Sequence, residues 1–211
     1  MKLDDFFPYI LPEVLGCPDP SVRLAIVNAA LTFCRDTLSW TETQDPIELT
    51  DDESIYDLDA PAGANVYTIR DAWCNKHRLE PKSMGEISLL MPDFMLNVSS
   101  EPLFYNMSSD KRQIRVFPIP RGATSPLVLR VAYIPVFGAN TLPDYLAIEH
   151  INVIAAGAKS SLMLMPGLPW SNPQLGAFYK SVFDEGVMNA KISEFHDRVS
   201  GSLRVLPRRF I

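Results

Sequence analysis

Cys74 and His77 stand in a C-x-x-H spacing, which is half of a structural zinc site. No second pair at ligand spacing follows. Cys74 is therefore read as filling a strand, and His77 as part of the turn after DAWC. Asp51, Asp52, Glu53, Asp57 and Asp59 crowd a second short stretch. A pair of carboxylates can hydrolyse a glycosidic bond, but only if an apolar cleft keeps one of them protonated. These five fall around a turn predicted at DDE, where solvent keeps carboxylates charged, and their spacing is not that of an EF-hand. His150 and His196 lie in helical stretches beside Glu149 and Asp197. Neighbours in sequence do not face each other on a helix, so both read as surface or interface histidines. There is no glycine-rich phosphate loop and no G-x-S-x-G elbow. The expectation is a protein that is not an enzyme, with no catalytic residue, cofactor or metal.

The arginines at the C-terminal end carry a different chemistry. Arg198, Arg204, Arg208 and Arg209 follow the last acid, Asp197, and alternate with Leu203, Val205, Leu206, Phe210 and Ile211. A solvated tail would not normally hold so many large apolar residues. Arginines interleaved with apolar anchors suit docking on another protein, whose surface should be acidic or rich in carbonyl acceptors. The whole chain has 211 residues, 47% hydrophobic and 21% charged, with a net charge of -6. An acidic chain is poorly suited to gripping nucleic acid, which needs many phosphate contacts. No basic end followed by an apolar run opens the sequence, so no secretory signal is expected. Ile151 to Met165 is too short and too polar for a membrane span. Cys17, Cys34 and Cys74 are odd in number and scattered, as expected of free thiols in a reducing compartment.

The elements that hold these groups follow from periodicity. DPSVRLAIVNAALTFCRDTLSW places Val22, Ala25, Ile26, Ala29, Ala30, Phe33 and Thr37 on one helical face, with Asp19 expected as the cap and Pro20 at the first position. Ahead of it, Pro8 and Pro12 limit LDDFFPYILPEVLG to one or two short turns. From Asp45 to Pro135 short β-branched and aromatic runs alternate with turn clusters, the pattern of an antiparallel sandwich or barrel. In QIRVFPI, Ile114, Val116 and Pro118 share one face and Phe117 the other; Pro118 makes this an edge strand or ends it. Ser83 and Glu86 have capping-box spacing and predict one short helix, SMGEISLL. Thr141 and Asp144 repeat that spacing before a long helix with Ile148, Ile151, Ala155, Ala158 and Leu162 on one face. A last helix, capped by Asn172 and opened by Pro173, carries Leu175, Phe178, Val182, Phe183, Val187 and Ala190. Between these two helices lies MPGLPWSNP. Pro166 and Gly167 end the first, while Pro169 and Trp170 stiffen the corner and supply apolar surface. The fold class is α+β. Residues 1–44 give an N-terminal helical part, 45–139 an inserted antiparallel β-domain, 140–200 a helical hairpin completing the helical unit, and 201–211 an extended tail.

Taken in order, four segments are similar to one family. VRLAIVNAALTFCRDTLSW looks like the first helix, IRVFPIPRGATSPLVLRVAYIP like the closing hairpin, and GAKSSLMLMPGLPWSNPQLGAFYKSVFDEGVMNAK like the helix–Pro/Trp loop–helix of head-to-tail adaptor proteins of tailed bacteriophages, the short-tailed type above all. LRVLPRRF resembles their basic, aromatic-tipped end. The resemblance implies a virion structural protein, made and assembled in the host bacterial cytoplasm, that forms a ring, usually dodecameric, under the portal protein. It closes the filled head, lets DNA pass without specific binding, and docks the tail or nozzle. By position, Arg204, Arg208, Arg209, Phe210 and Ile211 would touch the portal, and Pro166, Pro169, Trp170, Asn172 and Pro173 would form the corner that meets the portal or a neighbouring copy. Another neck or tail module, such as a tail terminator or nozzle subunit, is the alternative, and a small cell-wall glycan hydrolase a more distant one.

Overall fold

The computed structural model describes residues 1–123 and 125–196. A 3-10 turn, Leu3–Phe6, leads into α1 (Phe7–Ile10) and then α2 (Asp19–Thr37). The strands β1 (Thr41–Thr43), β2 (Ile55–Asp57), β3 (Ala64–Cys74), β4 (His77–Arg78) and β5 (Glu80–Pro81) precede α3 (Met84–Leu90). Then come β6 (Val98–Ser99), β7 (Phe104–Met107), β8 (Gln113–Phe117), β9 (Ile119–Pro120) and β10 (Leu127–Pro135), followed by α4 (Asp144–Met163) and α5 (Pro173–Phe195). This is an α+β fold in which α2 packs against α4, α5 and β10.

The α2 stripe is as its spacing predicts, with all seven residues buried. Its start differs. Pro18 is the N-cap, and Asp19 and Pro20 are already helical. Pro143 plays the same part for α4, so the Thr141–Asp144 capping box does not form. The N-terminal residues engage this stretch instead, Asp144 through its side chain and Thr141 through its backbone. Lys2 bridges Thr141, and the Met1 ammonium donates to the Asp144 carboxylate.

The helical hairpin also departs from its predicted faces. At His150 the backbone leaves the helical region (φ -118, ψ 18), and its ring lies 4.6 Å from Phe33. The stripe slips there: Ile148 is 70% exposed, while Ile154, Ala155, Ala158 and Leu162 are buried. In α5, Phe183 and Ala190 of the predicted stripe are buried, but Leu175 and Phe178 face solvent and Gly176 is buried beside them. Glycines cause this turn. A Cβ on Gly157 would meet the Phe183 ring at 2.7 Å and the Ala29 Cβ at 3.0 Å, and one on Gly186 would meet Val153 at 2.6 Å. The helices approach through these bare backbones, and Gly157 lies in the small-residue run AAGAKSS.

The strands form two four-stranded sheets, β1-β10-β3-β4 and β2-β8-β7-β5, with a two-stranded β6-β9 pair. Most pairings are antiparallel, while β5 with β7 and β6 with β9 run parallel. Thr41–Thr43, absent from the sequence reading, pairs with β10, whereas Ile47 in PIELT makes only an isolated bridge. Both sheets feed one hydrophobic core with the helices, and the Tyr105 hydroxyl of one sheet donates to the Ile69 carbonyl of the other. β8 ends at Phe117, before Pro118, inside its sheet. Phe117 is buried like Ile114 and Val116, because Phe94 packs edge-on against its outer side, centroids 5.6 Å apart.

One charged cluster fastens the N-terminal segment to the hairpin. Lys159, 8% exposed, donates to Glu13 at 2.9 Å and lies 3.8 Å over the Tyr179 ring, and the Tyr179 hydroxyl donates to the same carboxylate. Burial pushes the Glu13 carboxyl up, but the bonds from Tyr179 and Lys159 outweigh it and hold it below its ordinary value. A carboxyl whose pKa falls on folding stabilises the fold above its unfolded value. That contribution is lost as the pH drops below about 4.5 and through the folded value. Glu13→Gln should therefore lower the melting temperature at neutral pH and flatten the acid limb of the stability curve, both read by circular dichroism. Gly157→Val should cost about 1–3 kcal/mol in urea unfolding, since Phe183 and Ala29 leave no room for the branch.

Candidate interaction surface

The corner between α4 and α5 is built from the backbone outward. Gly167 takes a left-handed turn (φ 76), which spares the chain the cost a Cβ would bring there. The Met163 carbonyl accepts from the Asn172 amide at 2.9 Å, which closes the loop. The Asn172 side chain accepts from the Leu175 amide at 3.2 Å, and Pro173 fills the first helical position, as read from the sequence. Gly176 then sits against Leu164, its Cβ position 2.9 Å from Leu164 Cγ. Pro166, Pro169 and Pro173 are on the outside.

Trp170 turns inward and packs against the core as a half-buried side chain. Its indole N–H is covered and has no acceptor, the single such side-chain atom among the described residues. A covered, unpaired N–H costs about 1–3 kcal/mol, so the ring is there for its apolar bulk. The apolar surface of the corner comes from other residues. Leu164, Met165, Leu168, Leu175 and Phe178 are exposed, Phe178 to 57%. Periodicity puts Leu175 and Phe178 on the same apolar stripe of α5 as the buried Phe183 and Ala190. The glycine contacts turn the first two away. Further along α5, Met188, Ile192 and Phe195 are exposed as well.

The groups singled out for chemistry do not converge. Cys74 ends β3 and is buried; His77 is not in the turn but begins the return strand opposite it, after Asn75 and Lys76 in the left-handed region. Burial, then Glu101, pushes the Cys74 thiol up; burial pushes Cys34 up to about 12, and burial with Asp19 raises Cys17. All three are free and buried, far from the thiolate form that attacks or binds metal. The acidic stretch works as loop scaffolding. Asp51 accepts from the Gly122 amide, Asp52 pairs with Arg121, and Asp57 accepts from Gln113 at 2.9 Å. His150 lies tilted against the Phe33 ring, and His196 caps α5 with its ring edge-on to Phe195. No three His, Cys, Asp or Glu side chains gather in a metal-binding arrangement among the described residues, and no described helix is long and apolar enough to cross a membrane. Arg204, Arg208, Arg209, Phe210 and Ile211 lie outside the described residues.

The fold and its surface thus define an α+β protein with a rigid helical hairpin whose corner is apolar on the outside. No protein-family model matches the chain, and no curated protein matches it. Trp170→Phe should keep or slightly raise the melting temperature, since it removes the unpaired donor and keeps most of the bulk. Trp170→Ala should lower stability by about 3–5 kcal/mol at most, less by the share of the ring that is exposed. Denaturant unfolding of the two variants side by side separates bulk from hydrogen bonding.

Proposed function

We propose that this chain is a head-to-tail adaptor of a tailed bacteriophage of the short-tailed type. In this reading it is a virion structural protein, not an enzyme. Copies assemble into a ring below the portal protein, close the filled head and dock the tail or nozzle, after synthesis in the host bacterial cytoplasm. The observation that carries the reading is the α4–α5 corner. Leu164, Met165, Leu168, Leu175 and Phe178 stand in solvent on a hairpin that Gly157 and Gly186 lock internally. Contiguous apolar side chains on a rigid element are what a protein partner buries. The net charge of -6 suits a ring past which DNA must slide without being gripped. The buried thiols and the scaffold role of Asp51, Asp52 and Asp57 leave the groups that looked chemical engaged in holding the fold.

Solution mass measured with and without the portal protein of the same phage tests the proposal. The expected result is a portal-bound ring. A chain that stays monomeric and never joins a portal sinks the reading. Removing residues 201–211 should abolish portal attachment while the circular dichroism spectrum stays that of the full chain. Phe178→Asp with Leu168→Asp should weaken assembly by about thirtyfold or more, the size of a central anchor, with the melting temperature unchanged.

A further inference from the structure

A second apolar surface lies on the β-region. α3 buries Ile87 and exposes Leu89 and Leu90, and the segment behind it exposes Met95, Leu96 and Leu103. Leu89 is 83% and Leu96 82% exposed, among the most exposed large apolar residues described. This surface is built rather than frayed. Ser83 and Glu86 close a capping box at the start of α3, the Asn97 amide donates to the Asp93 carbonyl, β6 pairs with β9, and Phe94 rests on Phe117. Its charge is one-sided. Residues 83–109 hold Glu86, Asp93 and Glu101 and no Lys, Arg or His. Of the cations at its margin, Lys82 pairs with Glu80 at 3.3 Å and Arg121 with Asp52, while Arg115 lines a cavity with Met84 at the start of α3 and Lys76 follows Asn75, which donates to Glu101.

The chain itself carries the complement. Residues 198–211 contain four arginines, five large apolar residues from Leu203 onward, and no acid. The approach is short. Near the end of α5, Glu194 pairs with Arg70 of β3 at 3.4 Å, and Arg70, Lys82 and Ser83 line one cavity of about 450 Å³. Thus α5 finishes beside the cavity from whose rim α3 starts. The patch begins one short helix further on, about 10 Å, whereas the segment 197–211, extended, reaches up to about 50 Å.

We infer that residues 201–211 dock on the apolar, acid-rimmed patch of α3 and residues 89–103 in the same chain. Apolar anchors such as Leu206 and Phe210 cover Leu89, Leu90 and Leu96, and the arginines face Asp93 and Glu101. A lipid surface is a poor occupant, because the segment that carries the apolar residues offers an anionic headgroup Glu86, Asp93 and Glu101 and no cation of its own. Docking stands apart from the adaptor reading. One consequence rests on that reading: the free protein shields its portal-binding segment until the portal offers a better surface, and this delays premature assembly.

The test is disulfide trapping in the full chain at low protein concentration with a mild oxidant, with Leu96→Cys and Leu206→Cys introduced; Cys17, Cys34 and Cys74 are buried. The control pair is Leu15→Cys with Leu206→Cys. Leu15 is 74% exposed, and it too is within reach of the tail, since nearby Glu13 bonds Tyr179 of α5. An intrachain bridge at Leu96 should form about tenfold faster than the control, above the general effective concentration of a tethered segment. Adding Asp93→Lys and Glu101→Lys should bring it to the control rate, and adding Arg204→Glu, Arg208→Glu and Arg209→Glu to those should restore it. Equal rates for the two starting pairs overturn the inference. Disulfide-linked dimers in place of the intrachain bridge also overturn it and assign the patch to a second copy. Portal joining by the unmodified chain is scored separately, so failure of the adaptor reading and failure of tail docking give different results.

Discussion

At Gly157 there is no room for a side chain, and the helical half of the molecule depends on that. The Phe183 ring of α5 and the Ala29 methyl of α2 both occupy the space a Cβ would take. Three helices from opposite ends of the sequence can meet there only because α4 offers bare backbone. Glycine in a helix interior costs about 1 kcal/mol against alanine, so close packing has to offset a real penalty. Gly186 repeats the arrangement against Val153 one helix over. Two such contacts fix both the separation of α4 and α5 and their rotation. Rotation decides which residues reach solvent, so the exposure of Leu175 and Phe178 follows from glycines some two and three turns away.

With the hairpin fixed, the rest of the chain is tied to it by polar contacts at its margins. The Met1 ammonium reaches Asp144 at the start of α4, and the Leu3 amide donates to the Asn140 carbonyl at 3.1 Å. Glu13 holds Lys159 midway along α4 and Tyr179 on α5. Arg70 holds Glu194 near the end of α5 against β3. An exposed pair adds little to stability, but a charge largely out of water, such as Lys159 or Glu194, makes its partner obligatory because it must be compensated. These contacts join parts remote in sequence, so they act on which arrangement forms more than on how tightly it is held.

The sequence discloses elements better than faces. The α2 stripe was legible to the residue because Val22 through Thr37 follow one uninterrupted period and meet one continuous core. The Asn172–Pro173 start and the Ser83–Glu86 box were legible because caps are local chemistry. The outward turn of Leu175 and Phe178 was not, since periodicity cannot say which side of an apolar helix its neighbours will occupy. Nor was the break at His150, which neither proline nor glycine marks and which shows itself only against Phe33. The Thr141–Asp144 box failed for a similar reason. Pro143 takes the N-cap position, and the Asp144 carboxylate goes to Met1, a remote competitor that no local window contains. Phe117 was placed outward by alternation, correct for a one-sided sheet, but Phe94 closes the other side. Of the candidate surface, the corner's stiffness was readable in its prolines; the residues that carry its apolar face were not.

The molecule thus combines rigid scaffolds with apolar side chains left in water at two separate places, the α4–α5 corner and the α3 segment. Isolated exposed leucines need no explanation in a folded protein. Here they cluster at a capped hairpin and on a capped helix, where backbone order has already been established and little conformational entropy remains to be lost on binding. The chemistry around the two clusters differs. The corner is set among prolines and carries Lys180 one turn on, paired with Asp184, so it is close to neutral. The α3 surface holds Glu86, Asp93 and Glu101 and no cation within residues 83–109, and the Lys82 and Arg121 at its margin are paired with Glu80 and Asp52. Two apolar surfaces of unlike charge on one rigid body select different partners, since a basic segment is favoured at the second and gains nothing at the first. An arginine-bearing apolar tail on the same chain is therefore matched to one of its two surfaces and not to the other.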